Sequence, residues 1–164
     1  MPDDNTDDDT SVEYHYACAA ARHFEDAVYL HDDQRLPTAD HLFGFAAECA
    51  VKSLLLRFTT EVSMTDRKGR TSHKPWWNNP SNNKLEPLGH IADVLPAVSL
   101  LTHGRTGAEL LQTMDKLSDF ASWTEADRYT DGTAVEASVV DCRREAATLV
   151  LSLHEQAVIT GRLS

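Results

Sequence analysis

Three groups of residues carry side chains whose types and spacing suit chemistry. Glu48 and Lys52 stand four apart inside the apolar run Ala39 to Phe58, in the Glu-first order that favours an ion pair along one helix face. Such a pair can be a solvated stripe on the outside of the helix. It can instead point Glu48 inward, where a buried carboxylate needs a cation or several donors. Arg128 and Tyr129 form the second group, in a connector that follows Trp123. A guanidinium meets a carboxylate in a fork, so Arg128 is the expected partner of an inward Glu48, with Tyr129 packed beside them. The third group is Arg67, Lys68, Arg70, His73 and Lys74, followed at once by Trp76 and Trp77. Cations beside aromatic rings suit single-stranded nucleic acid, and they suit a protein interface equally. Rings that fold back would instead cap the core.

Other chemistry is weakly signalled. His15, His23 and His31 lie eight apart and lack the i, i+4 pairing that a helical metal site favours. Cys18, Cys49 and Cys142 sit among apolar neighbours and read as buried free thiols rather than a disulfide or zinc framework. The chain has no Gly-rich phosphate loop, no HExxH and no nucleophile elbow. Neither cofactor nor metal is expected.

The elements that must position these groups read as helices. Ser11 caps a first helix to about Asp33, with Tyr16, Ala20, Phe24, Ala27 and Leu30 at three-four spacing. The second helix runs from a cap at Thr38 to Phe58 and is apolar around most of its circumference, so it should be buried on several sides. The third spans Gly89 to His103 with a break at Pro96, and the fourth starts at Thr106-Gly107. The last runs from about Ala134 to Gly161 on a stripe of Val135, Val139, Cys142, Ala146, Leu149, Leu153 and Ala157. Arg143, Arg144 and Glu145 point off that stripe. Residues 59–87 hold Gly69, Pro75, Pro80 and Pro87 and no helical period. They read as a long functional loop, with a weak signal for a short hairpin within Glu61 to Ser72 turning at Lys68-Gly69. The expected fold is all-α, an up-and-down bundle of about five helices.

Length points to one domain, residues 11–164, with a core that needs no staples. The formal charge is −11, but Asp3, Asp4, Asp7, Asp8 and Asp9 supply five of those charges. Residues 1–10 therefore read as a disordered acidic tail on a mildly acidic body. No long apolar run and no basic-then-apolar leader occurs, so a cytoplasmic protein without a membrane span is expected. Surplus apolar surface on the second and last helices predicts a homodimer.

The run HLFGFAAECAVKSLL resembles the second helix of HEPN domains (higher eukaryote and prokaryote nucleotide-binding domains). Ala21 to Ala27 resembles their first helix, Gly89-His90-Ile91 the start of their third, and Arg128-Tyr129 their Arg-aromatic pair. The likeness spans roughly Val12 to Leu163. It implies a helical bundle from a bacterial toxin–antitoxin, immunity or phage-defence system, with a protein or an RNA as partner. The family also contains metal-independent ribonucleases that carry an Arg and, after a gap of four to six residues, a His. In them Arg steadies the phosphate and His moves the proton. Here that spacing occurs at Arg35–His41 and Arg67–His73, no more often than chance supplies. Arg128, at the usual place, has no His after it. Unless His73 or His90 folds into that site the constellation is missing. The chain reads as a binding protein, the alternatives being a ribonuclease toxin and a structural dimerisation module.

Overall fold

The computed structural model describes residues 11–164; the expected acidic tail, residues 1–10, lies outside them. Two long helices, α1 (Val12–Asp32) and α2 (Leu36–Phe58), lead into three strands, β1 (Val62–Thr65), β2 (Thr71–Asn79) and β3 (Lys84–Pro87). Short helices follow, α3 (Ile91–Val94), α4 (Ser99–Thr102) and α5 (Ala108–Lys116), before the closing α6 (Ala137–Thr160). A 3-10 turn over Leu95–Val98, carrying Pro96, separates α3 from α4, which is the break a proline makes. Two more 3-10 turns, Leu117–Phe120 and Glu125–Tyr129, join α5 to α6.

The fold is therefore mixed, helices plus an antiparallel sheet in the order β1-β2-β3, and not the all-α bundle the sequence suggests. The long loop expected at 59–87 is the sheet. Its first hairpin turns at Asp66–Arg70, as the weak signal had it, but β2 then continues into a second hairpin with β3. Two features hide these strands. Pro75 lies inside the central strand, where a missing N–H argues against pairing. It is tolerated because the β1 register slips between Ser63↔Trp76 and Thr65↔Thr71, so Pro75 falls in a bulge and breaks no rung of that ladder. The strands also alternate poorly, since only Val62, Pro75 and Trp77 of β1 and β2 are buried.

The helix α2 is the centre of the molecule. Every residue from Ala46 to Leu55 is buried, with α1 and α6 packed along it. Its first turn starts earlier than expected, with Arg35 at the cap position, Pro37 in the first turn and no side-chain cap. Gly44 is where the helix is thinned. A Cβ there would run into the ring of Trp123, whose indole N–H donates to the Asp40 carbonyl at 3.2 Å.

The buried stripe of α6 is Val140, Arg143, Ala146, Ala147, Val150, Leu153 and Ala157, turned by about one residue from the expected one. The turn brings Arg143 inward and leaves Cys142 exposed. Cys18 is exposed as well, so only Cys49 is the buried thiol expected. No described helix is long and apolar enough to cross a membrane.

Candidate functional site

Three polar assemblies emerge. The first is centred on Glu48, 6% exposed, and Lys52, 4% exposed. Lys52 Nζ donates to Glu48 Oε1 at 2.7 Å, and His90 Nδ1 lies 3.3 Å from Glu48 Oε2. His90 is the cap residue of α3 yet makes no cap bond, because its ring reaches back to α2. Its other nitrogen stands 3.9 Å from Glu125 Oε1. Tyr16 lines the far side, with Lys52 Nζ 5.7 Å from its ring centre. Burial, with Cys49 and Glu48 adding to it, pushes the Tyr16 hydroxyl up to about 12.

Glu48 is inward, as one reading of the sequence has it, but its partner is not Arg128. That residue is exposed, its guanidinium 4.7 Å from the ring centre of Tyr129, and Tyr129 itself is 78% exposed. The ammonium one turn along the same helix meets the carboxylate without a tertiary rearrangement, which leaves no need for a distant guanidinium. The buried guanidinium–carboxylate pair is a different one, made through a single Asp40 oxygen. Arg143 donates to Asp40 Oδ2 at 2.6 Å, to Ser122 Oγ at 3.0 Å and to the Asp119 carbonyl at 3.1 Å. Burial pushes the Asp40 carboxyl up, and Arg143 pulls against it. Together they tie α6 and the 117–122 turn to α2.

The second assembly is a groove of about 460 Å³ at the start of α2, lined by Arg35, Thr38, His41, Asp127, Arg128 and Thr130 among others. His41 stacks on Trp123 at 5.4 Å and meets Phe45 edge-on at 4.7 Å. Burial, then the Arg128 charge, lowers the pKa of His41. His90 approaches the same two rings, at 6.1 and 6.4 Å. The chance-level spacing Arg35–His41 thus lies with Arg128 along one groove. His73 does not join them; it lines a shallow hollow beside α1 with His15, Tyr16 and Cys49.

The third assembly is the sheet. Successive side chains of a strand face opposite sides, and β2 divides its two tryptophans accordingly. Trp77 is 4% exposed and caps the core opposite Val62. Trp76 is half-buried on the outer face, between Ser63 of β1 and Pro87 of β3. Its indole N–H donates to Ser72 Oγ at 3.0 Å. Arg67 reaches across, its guanidinium 5.8 Å from the Trp76 ring centre and its Nε donating to the Leu85 carbonyl at 2.7 Å. Arg70 is held differently, forked onto Asp66 at 2.8 and 3.0 Å. Asp66 also accepts the N–H of Lys68 and of Arg70, bonds to the anion that hold its carboxyl below the usual range. Lys68 and Lys74 are exposed.

In comparisons with protein-family models, curated proteins and solved structures, nothing matches this chain. The HEPN likeness rests on the residues that carry it.

Among the described residues no group of three or more His, Cys, Asp or Glu side chains could hold a metal ion. The sequence reading missed Asp40 and Arg143 as members of polar assemblies, and it weighed His41 and His90 only in connection with the ribonuclease spacing. One signal was available. Gly44 interrupts an otherwise strong helix former, and an isolated helical glycine marks a close approach, here that of Trp123, on which His41 stacks.

Proposed function

We propose that this protein works by binding rather than by turnover, as a divergent HEPN-like cytoplasmic component of a bacterial toxin–antitoxin, immunity or phage-defence system. Its partner, a protein or an RNA, meets the outer face of the sheet. The observation that carries this reading is the contrast in how charges are used. Glu48 and Arg143 are themselves buried, and their polar atoms are engaged by neighbours within the fold. On the sheet, Arg67 and Trp76 form an open cation–aromatic pair beside exposed lysines. Arg and Trp are the residue types that dominate contact surfaces. Metal-free incubation with total tRNA tests the non-catalytic half: the RNA should remain intact.

One observation favours the ribonuclease alternative. Arg35, His41 and Arg128 line one groove, and His90 comes close to Glu125, three residues before Arg128. That arrangement offers cations for a phosphate and an imidazole for its proton. Cleavage that vanishes in both Arg128→Ala and His41→Ala would establish it.

The same chain is proposed to pair with a second copy. Ile159 is 76% exposed and Val158 38%, on the rim of an apolar furrow of about 580 Å³ between α1 and α6 floored by Ala20 and Ala50. Exposed apolar surface of this kind marks association sites. Light scattering should give twice the chain mass; a monomer mass at micromolar concentration would remove the pairing.

A further inference from the structure

We propose that the outer face of the sheet binds single-stranded nucleic acid, with one base stacked on Trp76 and the adjoining phosphates held by Arg67, Lys68 and Lys74. The inference rests on the binding reading above and narrows its partner.

The charge arrangement is the first reason. The sheet segment is locally cationic on a chain of formal charge −11, with five Arg and Lys against two carboxylates in residues 62–87, and each carboxylate has neighbours of its own. Asp66 is forked by Arg70, and Glu86 accepts the side-chain amides of Asn79 and Asn82 at 2.9 and 2.7 Å. Among the described residues no carboxylate lies within ion-pairing distance of Arg67, Lys68 or Lys74. At physiological salt the screening length is about 8 Å, so this patch acts on a nearby polyanion despite the net charge. A protein surface would have to supply matching acids, whereas a nucleic-acid strand carries one phosphate per nucleotide.

Ring presentation is the second. Trp76 is held from beneath by the strand and at its edge by Ser72 Oγ. Its cross-strand neighbours, Ser63 and Pro87, are low, so the indole stands above them. Lys74, two residues back on the same strand, is exposed. Arg67 lies over the ring at 5.8 Å, near the outer limit of a cation–π contact. An incoming base displaces it, and the freed guanidinium takes a phosphate. Duplex bases are stacked on one another and offer no free face, so a single strand is the matching ligand.

The test uses the full chain and a short fluorescein-labelled oligouridylate, an oligothymidylate of equal length, and a duplex. Single strands should raise the probe anisotropy and quench tryptophan emission, since Trp77 and Trp123 are 4% and 3% exposed and Trp76 is the open ring. Trp76→Ala should weaken binding at least about fivefold, while Trp76→Phe keeps most of it. The slope of log affinity against log salt should be about −2, from roughly 0.7 for each of three cations. Lys68→Gln with Lys74→Gln should flatten it.

Three results would overturn the site: no anisotropy change with either single strand, equal affinity for the duplex, or unchanged affinity in Trp76→Ala. Emission quenched by a protein partner but by no oligonucleotide would overturn it also. The two readings fail separately. Probe cleavage by wild type and Trp76→Ala alike removes the non-catalytic reading and leaves the stacking face. An intact probe that never binds removes the face and leaves that reading.

Discussion

Trp77 and Trp76 are neighbours in the chain and opposites in the molecule. One closes the core against Val62; the other stands on the outer face beneath Arg67. The same division separates the charges. In the helical body Glu48, Lys52, Asp40 and Arg143 are buried and face one another; on the sheet the cations stay exposed. Residue type alone does not tell a structural charge from a contact-forming one. The number of partners within hydrogen-bond reach does.

The largest effects should come from breaking the buried side of this contrast. Arg143→Ala leaves Asp40 uncompensated at 3% exposure and should cost about 3–5 kcal/mol in denaturant melts. The exposed Arg128→Ala should cost at most about 1 kcal/mol. Equal costs would mean that the buried Arg143–Asp40 pair does not anchor α6. A matched pair of variants sharpens the point on the sheet itself. Trp77→Ala should lose about 3–5 kcal/mol. Trp76→Ala, at a partly buried position on the outer face, should lose clearly less, read by the same melts.

A smaller effect is expected from pH. Ser53 Oγ lies 2.8 Å from both the Glu13 carbonyl and His154 Nε2, tying α1, α2 and α6 together. Burial, with Arg57 adding to it, lowers the His154 pKa to about 4. The folded state resists protonation while the unfolded imidazole takes a proton near its ordinary value of about 6.5. Stability from this group is therefore complete above pH 6.5, falls between about pH 6.5 and 4, and is flat below. The loss should be about 2–3 kcal/mol after allowance for partial exposure. His23 and His41, whose pKa values burial also lowers, act with the same sign. Melts across that range should show the fall, and His154→Gln should reduce it.

The helices were legible because their apolar periods are long. The Pro96 break, the Gly161 stop and the burial of α2 follow from composition alone. The sheet was not, because its central strand holds a proline in a bulge and its inward face has few apolar residues. Glu48 was readable as inward from the shortage of polar positions around it. Its partner was misassigned because the distant Arg128 was taken as its cation, although Lys52 stood one turn away on the same helix. Arg143 was misread through a stripe turned by one residue, a slip that Val139-Val140 and Leu149-Val150 invite, since either member of each doublet completes a three-four pattern. His90 and His41 meet the polar assemblies only through tertiary packing around Phe45 and Trp123, which no local spacing announces.

The central claim is that contact is made by the sheet and not by the polar groups of the helical body. It is tested most directly by measuring the affinity of one labelled oligouridylate for Trp76→Ala and Arg128→Ala side by side. Loss of at least about fivefold in Trp76→Ala, with Arg128→Ala close to wild type, is the predicted result. Loss confined to Arg128→Ala would contradict the account and move the site to the groove at the start of α2.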